Sequence, residues 1–458
     1  MSKVSLKYIF IFIVTLIFIY VFSSSYTVNS IDNIAYVTAL AIDLTEDNEN
    51  LQVTFEFIDT SAFTSNESSG TTSPIIDSVS APSINNALNL LDEYIGKEVN
   101  LSHCKVIVIS EKLAEKGIYS ELTALMNNIQ VRPTANIIIS KCKASTYLSE
   151  STSTLEKILT KYYDMFPNSS RYTGYTSNIT LGEFYDSIRT VDSGNLAILG
   201  GLNKNQVSTS ESSSSESGSS GNSGGGQSSS GGSSTGGESS DETSSEGSDE
   251  KEIIKENENT NNVSISSIVA GNSPIVGERG TENIGLAVFN SDKYIGDLTA
   301  LETLCHTLIT SEVDSFILSI DDPEIYPNYI TLNLLDNTTA RIKVDSSSDT
   351  PQIDITIKLT GKIIGTKHDV DTPNNVSESL EDFSNATNKY LEKCILEYLY
   401  KTTSEFKCDI DGFYRYGKQH FYTNTDWENY NWVSNYPTAV FNVRVHTKVN
   451  SSLLLTET

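Results

Sequence analysis

Cysteine is scarce in this 458-residue chain, and what there is does not form a pattern. Cys104, Cys142, Cys305, Cys394 and Cys408 are odd in number and widely scattered, and no C-x-x-C pair occurs. A disulfide scaffold would be denser and even, so buried, unpaired thiols are expected; a Cys394–Cys408 bridge is open but unsupported. Basic residues are few as well. Lys and Arg number 31 against 59 Asp and Glu, a net charge of −28. That balance repels nucleic acid and anionic membrane surfaces, and it favours solubility rather than any particular chemistry.

Histidine occurs five times, as His103, His306, His368, His420 and His446, never in H-E-x-x-H or another metal-ligand spacing. The two adjacent soft-ligand pairs are His103-Cys104 and Cys305-His306. On a strand, the first pair would point to opposite faces. On a helix, the second would diverge by about 100°. Neither suits one ion, so no metal is expected. Walker loops and dinucleotide fingerprints are also missing, and no cofactor is expected. GNSGG, Gly221 to Gly225, matches G-x-S-x-G around Ser223. That motif needs a strained strand-to-helix turn, a histidine and oxyanion donors, and a Ser/Gly tract supplies none of them. No catalytic residue is expected, and the chain is read as not an enzyme.

One long apolar run is present. Lys3 and Lys7 precede YIFIFIVTLIFIYVF, Tyr8–Phe22, in which twelve of fifteen residues are Ile, Phe, Val or Leu. Such residues gain roughly 0.3–0.6 kcal/mol each on entering a bilayer. Fifteen residues of helix span only about 22 Å against a hydrocarbon core of about 30 Å. An uncleaved anchor extending from Leu6 to Tyr26, and a signal segment cut near Ser25, are both open. The charge before the run sends the bulk outside the cytoplasm. A lipid thioether needs a thiol, and the first cysteine is Cys104.

A second composition shift marks a boundary. From Ser208 to Glu252, about forty-five residues carry no aliphatic, aromatic or sulfur-containing side chain. Such a stretch cannot offset its ordering entropy and is expected to be a flexible tether with an r.m.s. span of roughly 35–40 Å.

Both flanking modules mix strand and helix periods. Leu51, Val53, Phe55 and Phe57 alternate as in a half-buried strand. Ile84, Ala87, Leu88, Leu91, Tyr94 and Ile95 fit an amphipathic helix with Ser83 as N-cap. Val106–Ile109 and Ile137–Ile139 predict buried strands, and Leu122, Leu125, Met126 and Ile129 a helix face. Past the tether, Ile353, Ile355, Ile357 and Leu359 alternate. Ser379 with Asp382 suggests a capping box opening a long helix. Its stripe is Leu391, Ile395 and Leu399 beside Ala386, Tyr390, Cys394 and Tyr398. Phe441, Val443, Val445 and Val449 predict a terminal strand. The expected fold is α+β: several small mixed-sheet domains with packed helices, preceded by an N-terminal hydrophobic helix. The segments are 1–30 anchor or signal, 31–202 N-terminal domain, 203–262 linker, 263–345 middle domain and 346–458 C-terminal domain.

Several stretches in consistent order resemble one family. They are IDNIAYVTALAID (Ile31–Asp43), LSHCKVIVISEKLAEKGI (Leu101–Ile118), VRPTANIIISKCKA (Val131–Ala144) and TLGEFYDSI (Thr180–Ile188). GLAVFNSDKYIGDLTALET (Gly285–Thr303), CDIDGFYRYGKQH (Cys408–His420), the Trp427–Trp432 segment and the closing strand complete the series. Together they are similar to the Ger(x)C proteins, C subunits of spore nutrient germinant receptors. The resemblance implies a three-domain, non-catalytic subunit on the outer face of the inner spore membrane, associated with two polytopic partner subunits. Nutrient contact by this subunit is left open. The family's lipidated cysteine is replaced here by Ser23, Ser24 and Ser25.

Among the matching residues, Gly285 and Gly296 frame a hairpin expected around Ser291-Asp292. Gly412 with Phe413 would let the chain leave the long helix closely packed. Trp427 and Trp432 suit core or domain-edge positions, or contact with partner subunits. The rival reading is a membrane-tethered surface adhesin or glycan-binding protein, suggested by twenty-three tyrosines and the tether.

Overall fold

The computed structural model describes residues 6–23, 33–58, 74–151, 159–207, 265–323, 328–336, 339–365 and 376–450. The Ser/Gly tract, Ser24, Ser25 and Ser223 lie outside the described residues, and Ser23 closes the first helix.

Helix α1, Leu6–Ser23, is apolar all round, and its described side chains from Tyr8 to Tyr20 are exposed. Its 18 residues span about 27 Å. Among the described residues no helix is long and apolar enough to cross a membrane.

Nine strands form the first sheet. They are β1 (Ile34–Leu44), β2 (Leu51–Phe57), β3 (Ile75–Ala81), β4 (Glu98–Asn100), β5 (Val106–Ser110), β6 (Asn136–Ser140), β7 (Asn195–Leu202), β8 (Thr281–Asn290) and β9 (Lys293–Leu298). Their order is β3-β2-β1-β5-β6-β7-β8-β9, with β4 also pairing β1. The central β1-β5-β6-β7 run is parallel and its flanks are antiparallel. Parallel neighbours need crossovers. These are supplied by α2 (Ile84–Ile95), α3 (Glu111–Lys116), α4 (Tyr119–Met126), α5 (Ala144–Glu150), α6 (Leu159–Met165), α7 (Ser170–Thr173) and α8 (Leu181–Ile188).

Ser83 caps α2, its hydroxyl accepting the Asn86 N–H at 3.2 Å, and Ile84, Ala87 and Leu91 are buried. Tyr94 stays 78% exposed because the last turn of α2 is uncovered. Helix α4 ends at Met126; Leu122 and Leu125 are buried and Met126 packs half-buried against the same core, whereas Ile129 is 99% exposed in the turn beyond. His103 and Cys104 lie in a turn before β5, not on the strand. Strand β2 is covered on both faces, since Thr54 and Glu56 are buried along with Val53, Phe55 and Phe57. Helices α5 and α6 cover the second face with Tyr147, Leu148 and Tyr163.

Five strands form the second sheet: β10 (Ser315–Asp321), β11 (Tyr329–Asp336), β12 (Arg341–Asp345), β13 (Gln352–Gly365) and β14 (Val440–Asn450). Strand β13 is its axis. It pairs antiparallel with β11 and β12 along one edge and parallel with β14 along the other. The alternating Ile353, Ile355, Ile357 and Leu359 are all buried, as are Phe441, Val443, Val445 and Val449. They pack with α9 (Ala300–Thr310) and α10 (Val376–Lys401). Helix α10 already runs from Val376, so Ser379 is inside it rather than at its cap. Leu391, Ile395 and Leu399 are buried in its stripe as the spacing predicts. All five cysteines are free, so no Cys394–Cys408 bridge forms.

Strand β8 joins the two cores. Its period of two sends Leu286 and Val288 into the core around α9 and α10, and Ala287 and Phe289 into the core of the first sheet. The β8–β9 hairpin turns at Ser291 and Asp292, with Ser291 at φ 58°. At Gly285, φ is +91° and a Cβ would lie 2.3 Å from the Leu298 carbonyl oxygen, so glycine is required there.

Candidate functional site

A cleft of about 540 Å³ opens where the two cores meet. Its walls are α8, the residues entering β7, α9 and the loop after α10. Helix α9 is fixed at its start by a capping box: Thr299 accepts the Glu302 N–H and Glu302 accepts the Thr299 N–H. This start carries His306 to the back of the cleft, where its Nδ1 lies 2.8 Å from Asp411 Oδ1. Tyr398 of α10 donates its hydroxyl to the same oxygen at 2.9 Å. The His306 and Asp411 side chains are 5% and 0% exposed.

Burial alone would lower the His306 pKa, but the hydrogen bond and charge of Asp411 outweigh it and hold it above the ordinary value. Burial pushes Tyr398 well above the usual phenol range. A histidine–carboxylate pair is a familiar proton-transfer arrangement. Here it ties α9, α10 and the loop together below the surface. Asp411 Oδ2 and Asn195 Oδ1 both belong to cleft-lining residues and have no hydrogen-bond partner. A buried polar atom left unpaired costs about 1–3 kcal/mol.

The loop Cys408–Tyr414 is built around Asp409. One of its oxygens accepts the N–H groups of Gly412 at 2.9 Å and Phe413 at 3.1 Å. The other accepts Tyr414 N–H at 2.7 Å and the Trp432 indole N–H at 3.2 Å. Burial raises the Asp409 pKa to about 7 despite its backbone bonds, and neighbouring Asp411 adds to the rise. Gly412 adopts φ +76°, a conformation that closes the turn and that a side chain would strain.

The same loop grips the first sheet. Gly194 N–H and the Ser193 hydroxyl both donate to the Asp409 carbonyl at 2.9 Å. A Cβ on Gly194 would come within 2.7 Å of Ile410 and 2.8 Å of the Cys408 sulfur. Trp427 donates its indole N–H to Asp192 at 2.9 Å and stacks on Trp432, with ring centroids 5.6 Å apart at 27°. Phe421, Tyr430, Tyr436, Phe413 and Phe441 extend this aromatic cluster.

Gly412, Phe413 and Trp432 therefore meet at Asp409, and Trp427 joins them through the Trp432 ring. Both tryptophans are buried and offer no exposed platform for a sugar ring. The sequence singles out His306 only as a poor metal ligand beside Cys305, and it does not single out Asp192, Asp409 or Asp411. The visible signal is D-x-D-G in CDIDGFYRYGKQH, whose two acidic residues directly precede Gly412. Among the described residues, no group of three or more His, Cys, Asp or Glu could hold a metal ion.

Comparisons with known proteins agree on one process. Residues 28–199 match the family described as Spore germination protein N-terminal domain. Residues 284–452 match Spore germination B3/GerAC like, C-terminal. The curated relative "Putative spore germination protein YfkR" of Bacillus subtilis (strain 168) is 28% identical over 122 residues, 26% of this chain. The chain covers only 32% of that relative's length. The crystal structure of the GerBC protein aligns with a TM-score of 0.48 at 14% identity, covering 90% of this chain and 96% of that one.

Proposed function

Since the chain belongs to the GerAC-like family of spore germination proteins, we propose that it is the non-catalytic, extracytoplasmic subunit of a nutrient germinant receptor. It acts in germination at the inner spore membrane, beside two polytopic partner subunits. The observation that carries this reading is the pair of family matches in the expected order on either side of the Ser/Gly tract, spanning 28–199 and 284–452. The burial of the His306–Asp411 pair supports a non-catalytic role, because neither side chain stands in the open where a substrate would meet it.

Helix α1 is read as the membrane attachment. Its exposed apolar surface is favourable in lipid. Ser23, Ser24 and Ser25, in place of a lipidated cysteine, leave that task to the helix. Trp427, Trp432, Gly412 and Phe413 form a scaffold that stiffens the junction, and partner subunits are read as docking on its outer rim.

The test is affinity purification of the tagged full chain from detergent-solubilised spore membranes. Recovery of two multispanning subunits in fixed ratio is expected. Recovery of the chain alone, together with unchanged nutrient germination in a strain deleted for it and for redundant receptors, overturns the reading.

A further inference from the structure

The outer face of the second sheet gathers positive charge in a chain that is short of it. Strand β13 buries Ile353, Ile355, Ile357 and Leu359, so its even-numbered residues face away from α9 and α10. The pairing register puts Arg341 of β12 and Arg444 of β14 on either side of Thr356. Further along, Lys448 stands beside Thr360, and Lys362 follows on β13. With Lys343 and Lys358, six of the chain's 31 basic residues share this face, and all six are exposed. Among the described residues its carboxylates are Asp321, Asp345 and Asp354, and the last accepts the Asn442 amide at 2.7 Å. Arg341, Lys343, Lys362, Arg444 and Lys448 form no ion pair among the described residues.

Apolar side chains stand beside these cations. Ile317 of β10 and Tyr329 of β11 are on the same face, 55% and 54% exposed, and only Asn333 separates Ile317 from Lys362 in the register. Ile364 of β13 is 54% exposed as well. The neighbouring sheet edge is closed. Val445, Thr447 and Val449 of β14 donate their N–H groups to Glu392, Asn388 and Ser384 of α10 at 2.9, 2.7 and 3.3 Å. That stretch of edge offers no N–H row to which a partner polypeptide could add a strand.

We propose that this face lies against the headgroups of an anionic phospholipid surface. Lys and Arg reach the phosphates with their charged ends, while Tyr329 and the two isoleucines sit at the level where lipid turns from polar to apolar. The net charge of −28 repels such a surface from afar, but screening at physiological salt limits each charge to about 8 Å, so the sign of the contacting face decides. An acidic protein surface would leave the exposed isoleucines without a use. The proposal goes beyond the receptor reading, since it concerns which side of the C-terminal sheet meets the bilayer rather than what the subunit assembles with.

The test is lysine acetylation of the full chain in nanodiscs of phosphatidylcholine, alone or mixed with phosphatidylglycerol, read by mass spectrometry. Lys343, Lys362 and Lys448 are expected to react about threefold or more slowly in the anionic discs. Lys112 and Lys204, exposed on the first sheet's side, should react equally in both. Sodium chloride at about 1 M, where the screening length falls to about 3 Å, should restore the reactivity. Arg444→Glu combined with Lys448→Glu, both at exposed positions, should restore it at Lys343 and Lys362 without salt. Equal reactivity in the two lipids, or protection that survives both the salt and the double substitution, overturns the proposal. Protection that appears in phosphatidylcholine only when partner subunits are added would assign the face to an acidic protein and overturn it too. Attachment through α1 is common to both lipids, so its failure would not shift this comparison, and the pull-down of partner subunits is read separately.

Discussion

The indole nitrogen of Trp427 lies 2.9 Å from Asp192 Oδ2, and the bond joins residues 235 apart in sequence. It fastens the aromatic cluster after α10 to the loop that enters β7, beside the Gly194–Asp409 backbone bond.

Trp427→Ala therefore removes both a buried ring and the link between cores. A loss of about 3–5 kcal/mol is expected in urea unfolding. Trp427→Phe keeps the stack on Trp432 and loses the hydrogen bond, costing about 1–2 kcal/mol. A Phe variant as unstable as the Ala variant would mean that the bond, not the ring, dominates.

Asp409 holds four N–H donors with two oxygens. Asp409→Asn turns one acceptor into a donor facing other donors, and about 2–3 kcal/mol should be lost. Faster hydrogen exchange at Gly412, Phe413 and Tyr414 should accompany the loss. Unchanged protection at these three amides would contradict the proposed clamp.

Glu56 supplies a pH signature. It is buried between Thr38 and Tyr163, and burial raises its pKa from 4.5 to about 6. For a carboxylate whose folded value is raised, the fold prefers the neutral form. Its contribution is fully present below the unfolded value, and stability falls as pH climbs from about 4.5 to about 6. The change amounts to roughly 2 kcal/mol. Urea midpoints across this window should show a smaller decline in Glu56→Gln than in the parent chain; identical slopes would exclude Glu56 as the cause.

Gly194→Ala tests the junction without removing any polar group. The added methyl meets Ile410 and Cys408 at under 3 Å. The Cys408–Tyr414 loop must shift, so exchange should quicken there and stability should fall by about 1–3 kcal/mol. Wild-type exchange in that loop would show that the contact relaxes freely.

Thiol accessibility follows from the packing. Four of the five cysteines are buried, and Cys142 alone is half-buried. Burial raises the Cys142 thiol too, so slow reaction of about one thiol is expected in the native chain, and of all five after denaturation. Rapid native labelling at Cys305 would mean that the α9 core opens.

Most individual elements were legible because each carries its own periodicity. Alternation in β13 and β14 and the capped stripe of α2 are local patterns, and backbone geometry turns them directly into faces. The errors came where context overrides the pattern. Strand β2 alternates as though half-exposed, yet α5 and α6 cover its second face and enclose Glu56. Ser379 has the residue type and spacing of a cap, but α10 starts earlier and leaves it mid-helix. The candidate site was legible only in part. Gly412, Phe413 and the two tryptophans attract notice by residue type, whereas Asp409 and Asp411 look like any of the chain's 59 acidic residues until their partners converge on them.

By itself, the sequence determined the apolar run near residue 8, the mixed helix and strand periods, the unpaired cysteines and the family, since these depend on composition and on residues close together in the chain. Only the tertiary structure decided that β8 serves two cores, that Asp192 meets Trp427, and that Asn195 and Asp411 line one cleft. Those relations join distant segments, and their free energy comes from desolvated contacts that exist only once both sheets are packed.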